Sequence, residues 1–318
     1  MASHIITAAL ASGELKADQT VVDFSSGNTG IAVAMVCASL AIPCVLIMPQ
    51  HPLLRERYLT IRALGGHVHL TAPAKGIKGM EEHFDWLLRQ SPGEYFGLAQ
   101  FTSPQNPLAY YSSMGPEIWE QTGGEVDYFV QGVGTGGCIA GTGAFLKEAA
   151  KKGGVVVVAV EPTEARVHIG EEPGAHTIVG IGSGTVANFF GLSGPLDGPQ
   201  PIPGIIDEWA SATSEEAATW CQKAARKEGL LVGPSAGAAL KVAVDIASRS
   251  DAAGKTIVVV LPSHAIRYAG HGLWDGLREE SDAALPVPAN LDLDARTCLF
   301  KSSDYSQQQG AKERGGWD

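Results

Sequence analysis

The chain has 318 residues, 45% hydrophobic and 18% charged, which is enough apolar surface for two packed domains and excludes a disordered chain. Its 23 basic against 34 acidic side chains leave a net charge of −11, which argues against a phosphate-backbone footprint and hence against a nucleic-acid partner. Five cysteines, Cys37, Cys44, Cys138, Cys221 and Cys298, are odd in number and never spaced Cys-x-x-Cys, so neither a disulfide framework nor a zinc site is expected.

The chain opens in a helix without a start signal, His4 to Leu10, and no secretory signal precedes it. With the reduced cysteines this points to the cytoplasm, an organelle reached by a leader ahead of Met1 being the alternative. Thr20 to Phe24 follows as a strand. No Asp, Glu, Lys or Arg stands between Asp23 and Arg55, but Pro43 divides that stretch into a buried helix, Thr29 to Leu40, and a strand, Cys44 to Met48. Neither piece is long enough to span a bilayer. The helix Leu53 to Leu64 is expected to bury Leu54, Tyr58, Ile61 and Leu64. After a strand at His67 to Thr71, the helix Ile77 to Leu88 repeats the spacing with Met80, Phe84 and Leu87.

Two prolines in Ser103-Pro104-Gln105-Asn106-Pro107 break the pattern and mark the crossover to a second lobe. Tyr110, Tyr111 and Trp119 fall on the next helix as packing residues. Alternation restarts with the strand Asp127 to Gln131, the helix Ile139 to Lys151 and the strand Val155 to Val160, and closes with the strand Thr256 to Leu261. From Pro162 to Gly204 the chain is rich in Gly and Pro, as loops packed over a site are. This alternation defines an α/β protein of two lobes, each with a mainly parallel sheet flanked by helices. The expected division is a smaller mobile lobe at 1–103, a larger lobe at 104–281 and a polar tail at 282–318. The dispersed histidines carry no metal-ligand spacing, so no metal is expected.

Three glycine motifs carry the chemistry, and each has more than one reading. Ser25-Ser26-Gly27-Asn28-Thr29-Gly30 stands where a strand ends and a buried helix begins, a place where free N–H groups hold a carboxylate or phosphate, or where Ser26 or Asn28 simply caps the helix. Gln131-Gly132-Val133-Gly134-Thr135-Gly136-Gly137-Cys138 also satisfies the G-x-G-x-x-G dinucleotide pattern, with Glu161 spaced as a ribose ligand. An NAD-dependent dehydrogenase therefore stays open on this motif, although a phosphate cradle explains it equally. Gly233-Pro234-Ser235-Ala236-Gly237 satisfies G-x-S-x-G, the nucleophile elbow of hydrolases, with His264 and His271 downstream and Asp245 or Asp251 between. Its other readings are a helix cap and a serine facing a ring nitrogen.

In this order, these motifs together with Gln100-Phe101-x-x-Pro104-x-Asn106-Pro107, Gly115-Pro116-Glu117-Ile118-Trp119-Glu120, Val160-Glu161-Pro162, Gly180-Ile181-Gly182 and Leu261-Pro262-Ser263 closely resemble cysteine synthase, the O-acetylserine (thiol)-lyase of the fold-type II pyridoxal phosphate family. The resemblance runs from Met1 to about Tyr268, with cystathionine β-synthase as the nearest competitor. It implies pyridoxal phosphate as cofactor, a small amino acid substrate, a homodimer, and replacement of the acetoxy group of O-acetylserine by sulfide. It also implies roles. Asn28 would bond the phenolic oxygen of the cofactor, Gly134, Thr135, Gly136, Gly137 and Cys138 would wrap its phosphate, and Ser235 would face the ring nitrogen. Ser25, Ser26, Gly27 and Thr29, with Gln100 assisting, would hold the substrate carboxylate.

Two departures from the family pattern stand out. Cys138 occupies a position the family fills with Thr, which forfeits one hydroxyl. The Schiff-base lysine of the family's Ser-x-Lys-x-Arg segment would fall just before Met1, and no lysine of this chain matches it. Without that amine the chain as given is expected to turn over poorly or not at all. Either the lysine belongs to sequence ahead of Met1, or the chain is a lysine-less relative that binds or regulates an active partner.

Overall fold

The computed structural model describes residues 1–150, 154–184, 187, 189 and 204–284. The first half comprises α1 (Ala2–Ser12), β1 (Thr20–Phe24), α2 (Asn28–Ser39), β2 (Cys44–Pro49), α3 (Arg55–Ala63), β3 (His67–Thr71), α4 (Gly76–Gln90) and β4 (Tyr95–Gly97). Its strands form one parallel sheet in the order β3-β2-β1-β4. The second half comprises α5 (Gln105–Ser112), α6 (Met114–Gln121), β5 (Tyr128–Gly132), α7 (Gly137–Ala149), β6 (Val156–Pro162), β7 (Glu208–Ala212), α8 (Ser214–Glu228), α9 (Pro234–Ala247) and β8 (Ile257–Val259). These strands form a second parallel sheet in the order β7-β6-β5-β8. Met1–Leu273 make one compact unit, and of the chain beyond it the described helix is α10 (Asp275–Ala284).

Both sheets bury both faces, so their central strands are continuous apolar runs rather than alternating ones. Along β1, Val21 enters a core with Ile5, Ile6, Ile31, Cys37 and Leu46, while Val22 and Phe24 enter another with Ile47, Met80, Phe84 and Leu87. Along β5, Phe129 packs with Ile139 and Leu146 of α7, and Val130 with Ala238, Val242 and Ile246 of α9. The apolar stretch that follows Asp23 is thus the interior of the first sheet. Among the described residues no helix is long and apolar enough to cross a membrane.

Strand order decides where a ligand can bind. From β1 the chain moves outward through β2 and β3, then returns to the other side of β1 as β4. From β5 it moves through β6 and β7 and returns as β8. Each sheet therefore has a switch point beside its central strand, where neighbouring loops part and leave a crevice. The loops after β1 and β5 are the first two glycine motifs.

Three features depart from expectation. The strands β4 and β7 lie at sheet edges, where the three residues of β4 and the Glu208-Trp209-Ala210-Ser211-Ala212 of β7 lack a strong apolar signature. The helix α3 is shorter than expected, and it buries Arg57 and Ile61 while Tyr58 is 37% exposed. Its inner face looks partly onto a cavity, so a charged side chain replaces the aromatic one that helical spacing alone would put inside.

Candidate active site

The two switch points open onto one cavity of about 460 Å³. Ser25, Ser26, Gly27, Asn28 and Thr29 line it from the first loop, Gly134, Thr135, Gly136 and Cys138 from the second, Ser235 from α9, and Gln100 from the segment after β4. Gly137 is the exception among the expected residues. A Cβ on it would stand 2.2 Å from Asn106 Oδ1, so this glycine permits close helix packing instead of forming the wall.

In the first loop the Ser25 hydroxyl accepts from the N–H groups of Gly27 and Gly30, both at 3.1 Å, and folds the loop onto the start of α2. No cap side chain of Gly27 obstructs that start, so the positive end of the helix opens on the cavity. Asn28 Oδ1 accepts from Arg267 Nη1 at 3.0 Å. Arg can only donate, so this contact fixes the carboxamide oxygen and turns the Nδ2 donor away from Arg267.

The second loop is a cradle because its residues lack side chains where backbone comes close. A Cβ on Gly134 would lie 2.8 Å from Gly180 O, and Gly136 holds φ at 84°, the left-handed region that glycine enters without strain. No side chain caps α7. Asn106, 1% exposed, joins this loop to the other: its Nδ2 donates to Gln100 O at 2.7 Å and to Thr135 Oγ1 at 3.0 Å. Gln100 in turn donates Nε2 to Phe24 O at 2.7 Å, so its amide nitrogen braces the end of β1. Asn106 lies in the Gln100 to Pro107 motif, but no local sequence signal marks this bridging role.

Ser235 lies 5% exposed in the first turn of α9, with Gly180 opposite; a Cβ on Gly180 would meet Ser235 Oγ at 3.7 Å. The hydrolase reading fails here. His264 Nδ1 accepts from Ile266 N–H and His271 Nε2 meets Thr177 O at 2.6 Å, so neither imidazole is the hydrogen-bonded base that a serine nucleophile needs. The dinucleotide reading fails on Glu161. This residue is 2% exposed, and its Oε1 lies 2.6 Å from His168 Nδ1, so the carboxylate is enclosed within the fold and no ribose can reach it.

Burial sets the ionisation of the remaining wall. It pushes the Cys138 thiol up to about 12, which keeps it S–H at neutral pH, and its Sγ lies 3.7 Å from Met114 Sδ. The Tyr110 phenol is raised by burial and then by Cys138. Arg57 and Tyr268 also line the cavity and were not foreseen, since one sits on an amphipathic helix and the other in the 3-10 turn Ala265–Tyr268. Among the described wall residues there is no lysine, aspartate, glutamate or histidine. All four described cysteines are free, and no cluster of metal-ligating side chains occurs among the described residues.

A cavity between two parallel sheets, entered by two helix starts and a buried serine, is built to hold a small anionic ligand on backbone N–H groups. The family model of pyridoxal-phosphate dependent enzymes matches residues 1–263, and the chain belongs to that family. Cysteine synthase A of Salmonella typhi is 37% identical over 276 residues, 85% of this chain and 82% of that protein. Among solved structures, O-acetyl serine sulfhydrylase isoform 3 from Entamoeba histolytica superposes with a TM-score of 0.77 at 34% identity, covering 86% of this chain and 77% of that one. The O-acetylserine dependent cystathionine β-synthase from Helicobacter pylori gives 0.76 at 32%, covering 86% and 84%. The chain is cysteine synthase-like, its cofactor is pyridoxal phosphate, and its relatives act on small amino acids.

The residues present fit that cofactor. Gly134 and Gly136 leave backbone where a phosphate needs N–H donors, Ser235 offers one hydroxyl, and the described wall residues include no acidic side chain to repel the phosphate.

Proposed function

We propose that the chain holds pyridoxal phosphate in this cavity and serves β-replacement on O-acetyl-L-serine, in which the C–O bond to acetate breaks and a C–S bond to sulfide forms, giving L-cysteine. The carrying observation is that both switch-point loops and Ser235 line a single cavity. In this reading Gly134, Thr135, Gly136 and Cys138 hold the phosphate at the start of α7, and Gly137 supports them by letting Asn106 approach. Asn28 donates Nδ2 to the phenolic oxygen, and Ser235 meets the ring nitrogen. Ser25, Ser26, Gly27 and Thr29 bind the amino acid carboxylate, with Gln100 bracing their loop. When bound, the cofactor supplies an electron sink for charge developing at the substrate Cα. A homodimer, a cytoplasmic setting that suits free thiols, and a mobile lobe at 1–103 belong to the same reading.

No lysine stands among the described wall residues, whereas Met1 and the first residue of α1, Ala2, do. Residues 1–318 alone are therefore proposed to bind the cofactor reversibly and turn over poorly. The test compares this chain with one carrying a Ser-x-Lys-x-Arg segment ahead of Met1, measuring retained cofactor absorbance after dialysis and cysteine formed from O-acetylserine and sulfide. Cofactor retention and turnover by the extended chain alone support the reading, and steady turnover by residues 1–318 refutes it. An extended chain that binds cofactor tightly but stays inert would favour the second reading, a non-catalytic binding relative.

A further inference from the structure

Two anionic groups of the proposed ligands already have a place, the phosphate at the start of α7 and the amino acid carboxylate at the start of α2. One further source of positive charge in the cavity has no role. Arg57 is the one charged side chain among the described residues that line it. It projects from the inner face of α3, is 5% exposed, and holds its guanidinium carbon 5.3 Å from the centroid of the Tyr268 ring. Tyr268 is itself fixed, with its hydroxyl 2.9 Å from Ser263 Oγ. The cation is therefore held in position in the cavity wall, on a neutral aromatic face.

Burial draws the Arg57 pKa down, but a guanidinium stays charged at any physiological pH. A fixed cation in a poorly solvated wall is screened far less than a surface one, and here it stands in a chain of net charge −11 whose outer field repels anions. Such a local positive well selects by charge. The cofactor and the amino acid share the same 460 Å³, so what remains beside Arg57 suits a small ion.

We infer that Arg57 is a specificity-determining residue that receives a small monoanion in the active-site cavity. The class includes both hydrosulfide, which would enter as nucleophile, and acetate, which would leave; the naming of these two ions and their small size rest on the proposed function, while the fixed cation in the cavity wall does not. Tyr268 positions the guanidinium and contributes no charge.

The test uses the 318-residue chain, free of cofactor and loaded with pyridoxal phosphate, and follows the line width of carbon-13 acetate by NMR. Wild type should show saturable broadening that hydrosulfide reverses by competition. Arg57→Met should weaken acetate binding by about tenfold or more while pyridoxal phosphate affinity changes by less than about threefold, and Arg57→Lys should keep part of the acetate site. Thermal unfolding checks that each variant folds, and Tyr268→Leu, expected to weaken acetate by about threefold, provides a second route if Arg57→Met does not fold. Equal acetate binding by wild type and Arg57→Met overturns the inference, as does broadening that hydrosulfide cannot reverse. Failure to bind pyridoxal phosphate would instead count against the proposed function, because acetate is also measured on the cofactor-free chain.

Discussion

Replacing Asp23 by Asn should stabilise the protein by an amount that grows with pH. Asp23 lies on β1 with no exposure, and no side chain among the described residues pairs with its carboxylate oxygens. Burial pushes its carboxyl from the ordinary 3.8 up to about 8, although the backbone N–H groups of Phe24 and Gln100 offset part of that rise. Because the folded value is raised, the group's contribution is fully present below pH 4 and is lost as pH climbs through about 8. In that window the unfolded chain releases a proton that the folded chain retains. At about 1.4 kcal/mol per pH unit, the penalty is about 2 kcal/mol at pH 5 and about 5 kcal/mol at pH 8. Asn carries no such penalty, so Asp23→Asn should gain about 3 to 4 kcal/mol on wild type between the two pH values. Urea unfolding followed by tryptophan fluorescence, run on both proteins at pH 5 and pH 8, measures this double difference, in which every other titrating group cancels. A stability difference that stays flat with pH would mean that Asp23 is ionised and paired in the fold, and the reasoning would be wrong.

Three further substitutions probe the cavity. Cys138→Thr should restore a hydroxyl beside the phosphate cradle and tighten pyridoxal phosphate several-fold, about 1 kcal/mol, as read by fluorescence titration. Arg267→Met frees the Asn28 carboxamide to rotate, and should weaken pyridoxal phosphate by about fivefold while leaving inorganic phosphate affinity unchanged, since the proposed phosphate loop does not involve Arg267. Gly141→Ala would drive a Cβ to 1.9 Å from Pro107 O, a backbone atom that cannot step aside. It should cost about 3 kcal/mol in unfolding free energy, and a melting temperature within a degree of wild type would contradict the packing of α5 on α7.

Much of the fold was legible because burial on both sheet faces leaves a plain signature. Val21-Val22-Asp23-Phe24, apolar but for Asp23, and Cys44-Val45-Leu46-Ile47-Met48 are runs closed by Ser25 and Pro49, and the structure ends the two strands at those closures. The three residues of β4 and the mixed Glu208-Trp209-Ala210-Ser211-Ala212 of β7 form no such run, which is why they escaped notice. The cavity loops were legible through glycine, since backbone that must approach a ligand or another loop excludes side chains, as Gly134 does against Gly180. What sequence could not show is contact between distant segments. Arg57 meets Tyr268 and Arg267 meets Asn28 across more than two hundred residues, and no local period encodes that. Helical spacing put Tyr58 inside α3 because it assumed a solid apolar core beneath, whereas a hollow lies there.

The order of strands also governs the order of assembly during synthesis. The first sheet needs nothing beyond β4, so it can close once Gly97 has left the ribosome. In the second sheet β5 keeps one bare flank until β8, at Ile257–Val259, emerges. At ribosomal speeds of about 5 to 20 residues per second, the stretch from Gly132 to Val259 takes roughly 6 to 25 s. During that interval the central strand offers an unpaired ladder to any passing chain, so chaperone demand and aggregation in the nascent protein should concentrate on Tyr128–Gly132 and not on the first half.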